Sequence, residues 1–540
     1  MNKQAEPQKR LGIVVTGSSA EGIVVKLDQD VSVEDIVLGR YVTIRGEKRR
    51  FFGMITQVSL ESSNPQVPVM PPDISDPFIS RVVSGTTTYG CIRVLPMLTV
   101  GTDAASLLEG PQPVKTVPTH FSEVFPAYQH DVETVFGKEG GSQFYIGTPL
   151  DMETRVCLNL EEFVKRSNGI FGKTGTGKTF LTRLLLIGIL QSRAAVNLVF
   201  DMHSEYGWEA MNEKGYRVKG LKQHFPAKVQ VFTLDEESAR RRKVSADSVV
   251  RIAYSEIEPE DIELLRQTLR LTEPAVQAAY QIAHKYGDRK WLEALFSPDV
   301  EENENFAKDL NIHESTYRNL RRGLETLRRF PFLVSGGEGN SVQRILESLD
   351  RGVNVILEFG RFEDYTAYIL VANLLSRRIY AKYREKVERA LGDGLPKPHP
   401  LVITIEEAHR FLNPELCNQT IFGTIAREMR KYNVSLLVVD QRPSGIDPEI
   451  MSQLGTKIAC LLDNEQDVDS VLAGVSGRSE LKSVLARLEN RQQALIFGHA
   501  VPMPVVVRTR EYGSAESYRD LYASGNRAPE EGKPTDDLWS

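Results

Sequence analysis

Gly172, Gly177, Lys178 and Thr179 fall at the spacing G-x-x-x-x-G-K-T, with Lys173, Thr174, Gly175 and Thr176 between the two glycines. Glycines at these positions let backbone N–H groups turn inward around phosphate oxygens. Lys178 would neutralise the outer phosphates. Thr179 would offer its hydroxyl to a divalent cation while opening a helix whose N-terminus favours an anion. The context fits, because the apolar Ile170-Phe171 precede the run and Phe180 to Leu190 follow it with the apolar character of a buried helix. A glycine-rich turn holding a chance lysine is the bland alternative.

A second constellation lies at Leu401-Val402-Ile403-Thr404-Ile405-Glu406-Glu407-Ala408-His409, an apolar strand that delivers two carboxylates at its end. In a parallel sheet, ligands bind at the C-terminal ends of the strands, so these acids can stand beside the phosphate loop. Glu406 would hold Mg²⁺, and Glu407 would orient and polarise the water that attacks the terminal phosphate. A structural reading makes the pair merely an acidic helix start. Asp201 closes the buried strand Val196-Asn197-Leu198-Val199-Phe200 and joins the loop residues as a nucleotide-binding candidate. Gln441, after the strand Val434 to Val439, could hydrogen-bond the terminal phosphate and report its loss, because an amide both donates and accepts.

These residues need elements to carry them. Strand, loop, helix and strand around Gly172 to Asp201 is the grammar of a parallel sheet. Val353 to Phe359, Leu401 to Glu406, Val434 to Val439, Thr456 to Leu462 and Gln493 to Phe497 extend it. Between about Ser255 and Phe330 the apolar positions recur at helical spacing. Upstream, short β-rich runs between residues 11 and 58 indicate a small antiparallel barrel, closed by Tyr89 to Val100. Prolines 111, 113 and 118 mark a linker. The expected architecture is α/β, with a RecA-like P-loop ATPase core, an N-terminal small β-barrel and an inserted helical bundle. Its expected boundaries are 1–110 for the barrel, 111–160 for a strap into the core, 161–250 and 350–512 for the core, 251–349 for the insertion and 513–540 for a partly disordered tail.

Composition narrows the classes. A chain of 540 residues exceeds one ordinary core, and 41% hydrophobic with 26% charged residues is a globular balance. No apolar run approaches the ~20 residues of a membrane span, and the N-terminus lacks a signal-peptide core, which points to the cytoplasm. Cys91, Cys157, Cys417 and Cys460 have no CxxC spacing and read as core residues. A net charge of −6 does not decide a nucleic-acid partner, since a ring can keep basic residues on its inner wall. The basic clusters Arg240-Arg241-Arg242-Lys243 and Arg318, Arg321, Arg322, Arg328, Arg329 read first as ion-paired helix faces. Glu260-Asp261 lacks the strand and lysine of a metal-dependent nuclease.

Taken in order, Gly172 to Thr179, Asp201-Met202-His203-Ser204-Glu205-Tyr206-Gly207, Ile405 to His409, Met429-Arg430-Lys431-Tyr432 and Gln441-Arg442-Pro443-Ser444 resemble the HerA family of hexameric DNA-translocating ATPases. The ordered set is far more specific than a phosphate loop alone. The resemblance implies a homohexamer around double-stranded DNA, driven by ATP and Mg²⁺, that feeds a partner nuclease such as NurA. It also implies that Arg430 reaches a neighbour's nucleotide and that Arg166 is a second trans-acting arginine. Two positions depart from the pattern: Glu406, where many relatives of the wider class have Asp, and Asp440, where a small residue commonly precedes the Gln. Two rival readings remain, a nucleotide-controlled ring scaffold for an effector, as in antiphage assemblies, and a nucleotide switch acting on protein alone.

Overall fold

The computed structural model describes residues 9–525 apart from 19–20, 73–74, 76–77, 79–81, 84–86, 104–105, 107–108, 212–216, 298–305, 337–339, 363–364, 418–419 and 491. Two large sheets organise it. The first is antiparallel and contains β1 (Gly12–Ser18), β2 (Gly22–Leu27), β3 (Tyr41–Arg45), β4 (Arg49–Ser62), β5 (Thr88–Gly101), β6 (Gln112–Pro113) and β7 (Glu123–Pro126), in the order β2-β1-β7-β3-β4-β5-β6. Because β2 also pairs with β5, from Ile23↔Val94 to Lys26↔Cys91, the sheet closes on itself. Alternating residues point inward, so Val14, Val25, Ile44, Ile55, Val94 and Val124 make one apolar centre.

The second sheet has twelve strands. They are β8 (Gln143–Thr148), β9 (Val156–Asn159), β10 (Asn168–Phe171), β11 (Val196–Asp201), β14 (Val229–Thr233), β15 (Ser248–Val249), β18 (Asn354–Glu358), β19 (Leu401–Glu406), β20 (Val434–Asp440), β21 (Thr456–Ala459), β22 (Gln493–Gly498) and β23 (Val505–Thr509). The numbers between belong to two small pairs, β12 (Ala210–Met211) with β13 (Arg217–Val218), and β16 (Ile252–Ala253) with β17 (Leu333–Val334). The order is β15-β14-β18-β11-β19-β20-β10-β21-β22-β23-β8-β9. Pairing is parallel from β15 to β21 and antiparallel from there to β9. Continuous apolar runs such as Leu401–Ile405 follow from this arrangement, since a parallel strand is covered on both faces.

The expected strap at 111–160 is divided between the sheets. β6 and β7 complete the closed sheet, while β8 and β9 edge the large one. Strands of two to six residues carry too few side chains for a periodic signal, and the prolines around them read as linker. The sheets are joined at Tyr41, whose hydroxyl donates to Pro504 O at 3.1 Å and accepts from Val506 N at 3.0 Å.

Helix α1 (Lys178–Ser192) follows the phosphate loop and is buried along most of its length. Between β16 and β17 the described chain is mainly helical, including α2 (Glu273–Tyr286) and α3 (Glu314–Glu325), around a fully buried Trp291 whose Nε1 donates to Ile257 O at 2.9 Å. The basic clusters are largely paired: Arg240 with Glu236, Arg241 with Glu237, Arg242 with Glu358, Arg318 with Glu314 and Arg328 with Glu325. Helix α4 (Tyr365–Asp393) backs β19, and α5 (Ile421–Glu428) leads into a 3-10 turn at Met429–Tyr432. Before α5, Asn413 Oδ1 accepts from the N–H groups of Glu415 and Leu416, which makes a turn. At the C-terminus, α6 (Ala515–Gly525) packs back through buried Leu521, and the expected tail beyond 525 lies outside the described residues. All four cysteines are buried, and none is joined in a disulfide among the described residues. Among the described residues no helix is long and apolar enough to cross a membrane.

Candidate active site at the phosphate loop

The loop leaves the C-terminal end of β10, which lies between β20 and β21, and ends at Gly177, the N-cap of α1. Gly177 has φ +88°, a left-handed conformation that glycine adopts without steric cost. Gly172 is required for a different reason, since a Cβ there would stand 2.7 Å from the Cys460 Cβ. Gly172 N donates to Asp440 O at 3.3 Å and Lys173 N to Leu461 O at 3.0 Å, so the end of β20 and the segment after β21 anchor the start of the loop. Thr176 Oγ1 donates to Lys173 O at 2.8 Å, and Lys173 Nζ pairs with Asp463 at 2.9 Å. Lys178 Nζ also donates to Lys173 O, at 2.8 Å. Burial pulls the Lys178 ammonium down, opposed by Cys460, Glu407, Asp440 and Glu406 nearby.

A cavity of about 320 Å³ opens on this loop. Thr174, Gly175, Gly177, Lys178 and Thr179 line one side; Glu406, Glu407 and Gln441 face them. Strand order explains the meeting, because β19 and β20 end beside β10 on the same edge of the sheet. Four adjacent strands, β18, β11, β19 and β20, each end in a buried acid: Glu358, Asp201, Glu406 and Asp440. Each is satisfied differently. Glu358 pairs with Arg242 at 2.5 Å, and burial together with the Asp201 charge pushes it up to about 7.

Asp201 does not line the cavity. Its two oxygens accept from Glu205 N at 2.8 Å and Tyr206 N at 2.9 Å, so it shapes the turn after β11. Asp201, expected as a nucleotide-binding residue, is engaged by its own turn, which presents Glu205 to the cavity and brings the buried Tyr206 to Glu406. Glu205 Oε2 accepts from Thr179 Oγ1 at 2.9 Å, and Tyr206 donates to Glu406 Oε1 at 2.8 Å. Glu406 Oε2 is buried without a hydrogen-bond partner. Burial, with the Asp201 charge behind it, pushes the Glu406 carboxyl well up.

Glu407 has φ +48°, a left-handed conformation for a residue with a side chain. Its Oε1 accepts from Gln441 Nε2 at 3.1 Å, and Gln441 Oε1 accepts from Thr174 Oγ1 at 2.6 Å. The expected sensor amide thus bridges the loop and the expected base. His409 lies alongside, its Nδ1 3.6 Å from Glu407 Oε2 and 3.0 Å from Asp440 Oδ2. The bond to Asp440 raises the imidazole above its ordinary range, against the opposing effect of burial.

Arg166 is not brought to this cavity by its own chain. Arg166 stands before β10, at the opposite end of the strand from the loop, with its side chain against Gly455. Arg430 has its backbone in the turn Met429–Tyr432, and its side chain lies outside the described residues. Sequence reasoning assigned no role to Glu205, Tyr206 or His409. The signal for the first two was an acid and a tyrosine four and five residues past a strand-ending aspartate.

A cradle of backbone N–H groups at a helix N-terminus, a buried lysine, and acids from neighbouring strand ends define a P-loop ATPase. Residues 144–379 match the family described as Helicase HerA, central domain. The chain is similar to the DNA double-strand break repair helicase HerA of Pyrococcus furiosus, 26% identical over 411 residues, covering 71% of this chain and 72% of that protein. It is 24% identical over 533 residues to the protein of the same description from Sulfurisphaera tokodaii, covering 96% and 97%. Among solved structures, a bacterial conjugative coupling protein, TrwB, aligns with TM-score 0.46 at 11% identity over 72% of this chain and 94% of that one. The chain is thus a P-loop ATPase similar to proteins of the HerA family. The matched stretch holds the phosphate loop and Asp201 but ends before Glu406, Glu407 and Gln441.

Proposed function

We propose that this protein is an ATP-driven translocase of double-stranded DNA that assembles as a homohexamer and serves a partner nuclease of the NurA kind or another defence effector. The observation that carries this reading is the convergence of Lys178, Thr179, Glu406, Glu407 and Gln441 on one cavity, in a chain whose relatives bear the description of DNA double-strand break repair helicases. Gly172 to Thr179 wrap the phosphates of ATP, and Lys178 neutralises them. The orphaned Glu406 Oε2 and the Thr179 hydroxyl are hard oxygen donors on the same cavity, a set that suits Mg²⁺. When bound, the ion would screen phosphate charge. Glu407 polarises the attacking water, and Gln441, bonded to both Glu407 and Thr174, senses the terminal phosphate. Arg166, which its own chain does not bring to the cavity, and Arg430 act on a neighbouring subunit's nucleotide. The closed N-terminal sheet serves as a barrel for ring assembly or docking, and residues 251–349 form a helical insertion in the core.

The scaffold reading draws on a separate observation. Leu60, Val69 and Met70, on the long β4–β5 excursion, are 79%, 78% and 78% exposed, which suits contact with a partner protein. One experiment separates the readings. A translocase hydrolyses ATP faster with duplex DNA, with little sequence preference, and its DNA affinity falls steeply with salt because grip comes through phosphates. If duplex DNA neither binds nor changes turnover at low salt, the scaffold reading replaces translocation.

A further inference from the structure

The turn after β19 poses a physical problem. Glu407 sits at φ +48°, a conformation that is strained for an ordinary side chain and persists only where neighbours hold it. The group that holds it comes from the next strand. Asp440, 1% exposed at the end of β20, accepts from His409 N at 2.7 Å, from Arg442 N at 2.6 Å and from His409 Nδ1 at 3.0 Å. Because the carboxylate can only accept, the imidazole carries its proton on Nδ1 and donates to Asp440. The same ring edge faces Glu407 Oε2 at 3.6 Å, while the Gln441 amide grips the other oxygen, Oε1, at 3.1 Å.

The ligand atoms of Glu407, His409 and Asp440 lie within 4.8 Å of one another, so a bound cation is the competing account. Three N–H donors already occupy the two oxygens of Asp440, and the His409 nitrogen that faces the cluster bears a proton. That is the pattern of a hydrogen-bonded clamp, with no lone pairs left converging on a common point. The Glu407 carboxylate thereby lies between the imidazole edge, packed 3.6 Å from Oε2 without a hydrogen bond to it, and the Gln441 amide that bonds Oε1. Both holders start from the tip of β20, because Asp440 anchors His409 and the adjacent Gln441 reaches the phosphate loop at Thr174.

We propose that His409 is a positioning residue for hydrolysis: clamped by Asp440, it fixes the Glu407 carboxylate in the orientation from which it polarises the attacking water. The inference rests on the assignment of Glu407 to that task. It follows that His409 and Asp440 act only through Glu407 and contribute little to nucleotide binding. Misplacing a reacting group by about 1 Å can cost on the order of 10²-fold in rate, so loss of the clamp should lower kcat by roughly 10- to 100-fold with KM nearly unchanged.

The test uses the full chain and measures steady-state ATP hydrolysis, nucleotide affinity and melting temperature for His409→Ala, His409→Asn, Asp440→Asn, Glu407→Gln and the double variant His409→Ala/Glu407→Gln. The expected result is a kcat loss in His409→Ala and Asp440→Asn, nucleotide affinity within about threefold of the parent protein, and partial recovery in His409→Asn, whose amide can still donate to Asp440. In the Glu407→Gln background, His409→Ala should produce no further loss, because residues that act as one unit are non-additive. A merely structural histidine would lower melting temperature and affinity together and would reduce the residual rate in that background as well; either result overturns the proposal. Should Glu407→Gln be inactive while His409→Ala and Asp440→Asn turn over normally, the clamp is refuted and the role of Glu407 stands. Should Glu407→Gln itself hydrolyse ATP at the parent rate, the assignment of Glu407 falls and the clamp falls with it.

Discussion

The closed N-terminal sheet and the twelve-stranded sheet both bury apolar side chains on alternating or continuous faces, yet they treat charge in opposite ways. Among the described residues of the closed sheet no strand ends in a buried acid, and charged groups such as Arg10 with Asp28 meet at the rim, where water shares in their solvation. The large sheet ends four neighbouring strands in buried carboxylates and adds Lys178 and Lys457 within its layers. Taking a charge out of water is costly unless it is paired, so such a concentration at one sheet edge marks where binding energy is to be recovered from a ligand. The antiparallel sheet spends its residues on a core; the parallel sheet, whose C-terminal edge gathers loops from many strands, spends some of them on a site.

The contrast breaks first at Lys178. Lys178→Ala should abolish most nucleotide binding, and the rise in melting temperature that ATP gives the parent protein should vanish, since that rise follows RT ln(1 + [L]/Kd). An unchanged thermal shift would remove Lys178 from the phosphate cradle. Next in size is the closed sheet's interior. Ile55 is fully buried there, and Ile55→Ala should destabilise the fold by about 2–5 kcal/mol while leaving nucleotide affinity intact. If affinity drops in step with stability, the two sheets are energetically one unit, coupled through contacts such as that of Tyr41 with Pro504 and Val506.

The smallest effect concerns Lys457, a buried cation of the large sheet outside the cavity lining. Its Nζ donates to Val471 O at 3.0 Å, and burial pulls its ammonium down to about 8. The unfolded chain keeps this lysine protonated to near its ordinary value of 10.5. Between pH 8 and 10.5 the unfolded state therefore binds more protons than the folded one, and stability contributed at this position rises with pH across that window. Below pH 8 both states are protonated and the full cost of the buried charge remains. In Lys457→Met the melting temperature should gain most near pH 7 and lose that advantage on the way to pH 10. A pH-independent difference between variant and parent would show that Lys457 is solvated in the folded state.

Local spacing was enough to locate the phosphate loop, because G-x-x-x-x-G-K-T is contiguous and its chemistry is carried by the backbone and two side chains. Continuous apolar runs ending in acids were also legible, since a strand covered on both faces leaves that imprint wherever it pairs. The division of residues 111–160 between two sheets was not legible: Val124 and Phe125 are buried because β7 inserts between β1 and β3, and partners as distant in the chain as Ile44 and Val124 are recorded by no local window. Nor was the role of Asp201, which reads as a cavity ligand until both its oxygens are found on backbone N–H groups of its own turn.

Asp440 shows the division most plainly. In the sequence it was a departure beside a sensor glutamine, whereas in the fold it is the acceptor that holds His409, 31 residues upstream, against the Glu407 carboxylate. The chain by itself determined which residues could do phosphate chemistry, because reactivity belongs to side-chain type and short spacing. Only the tertiary structure decided which of them meet. The parallel order β11-β19-β20-β10 brings strand ends far apart in the chain to one edge, and hydrogen-bond saturation there selects which acids stay open to a ligand and which are spent on the protein.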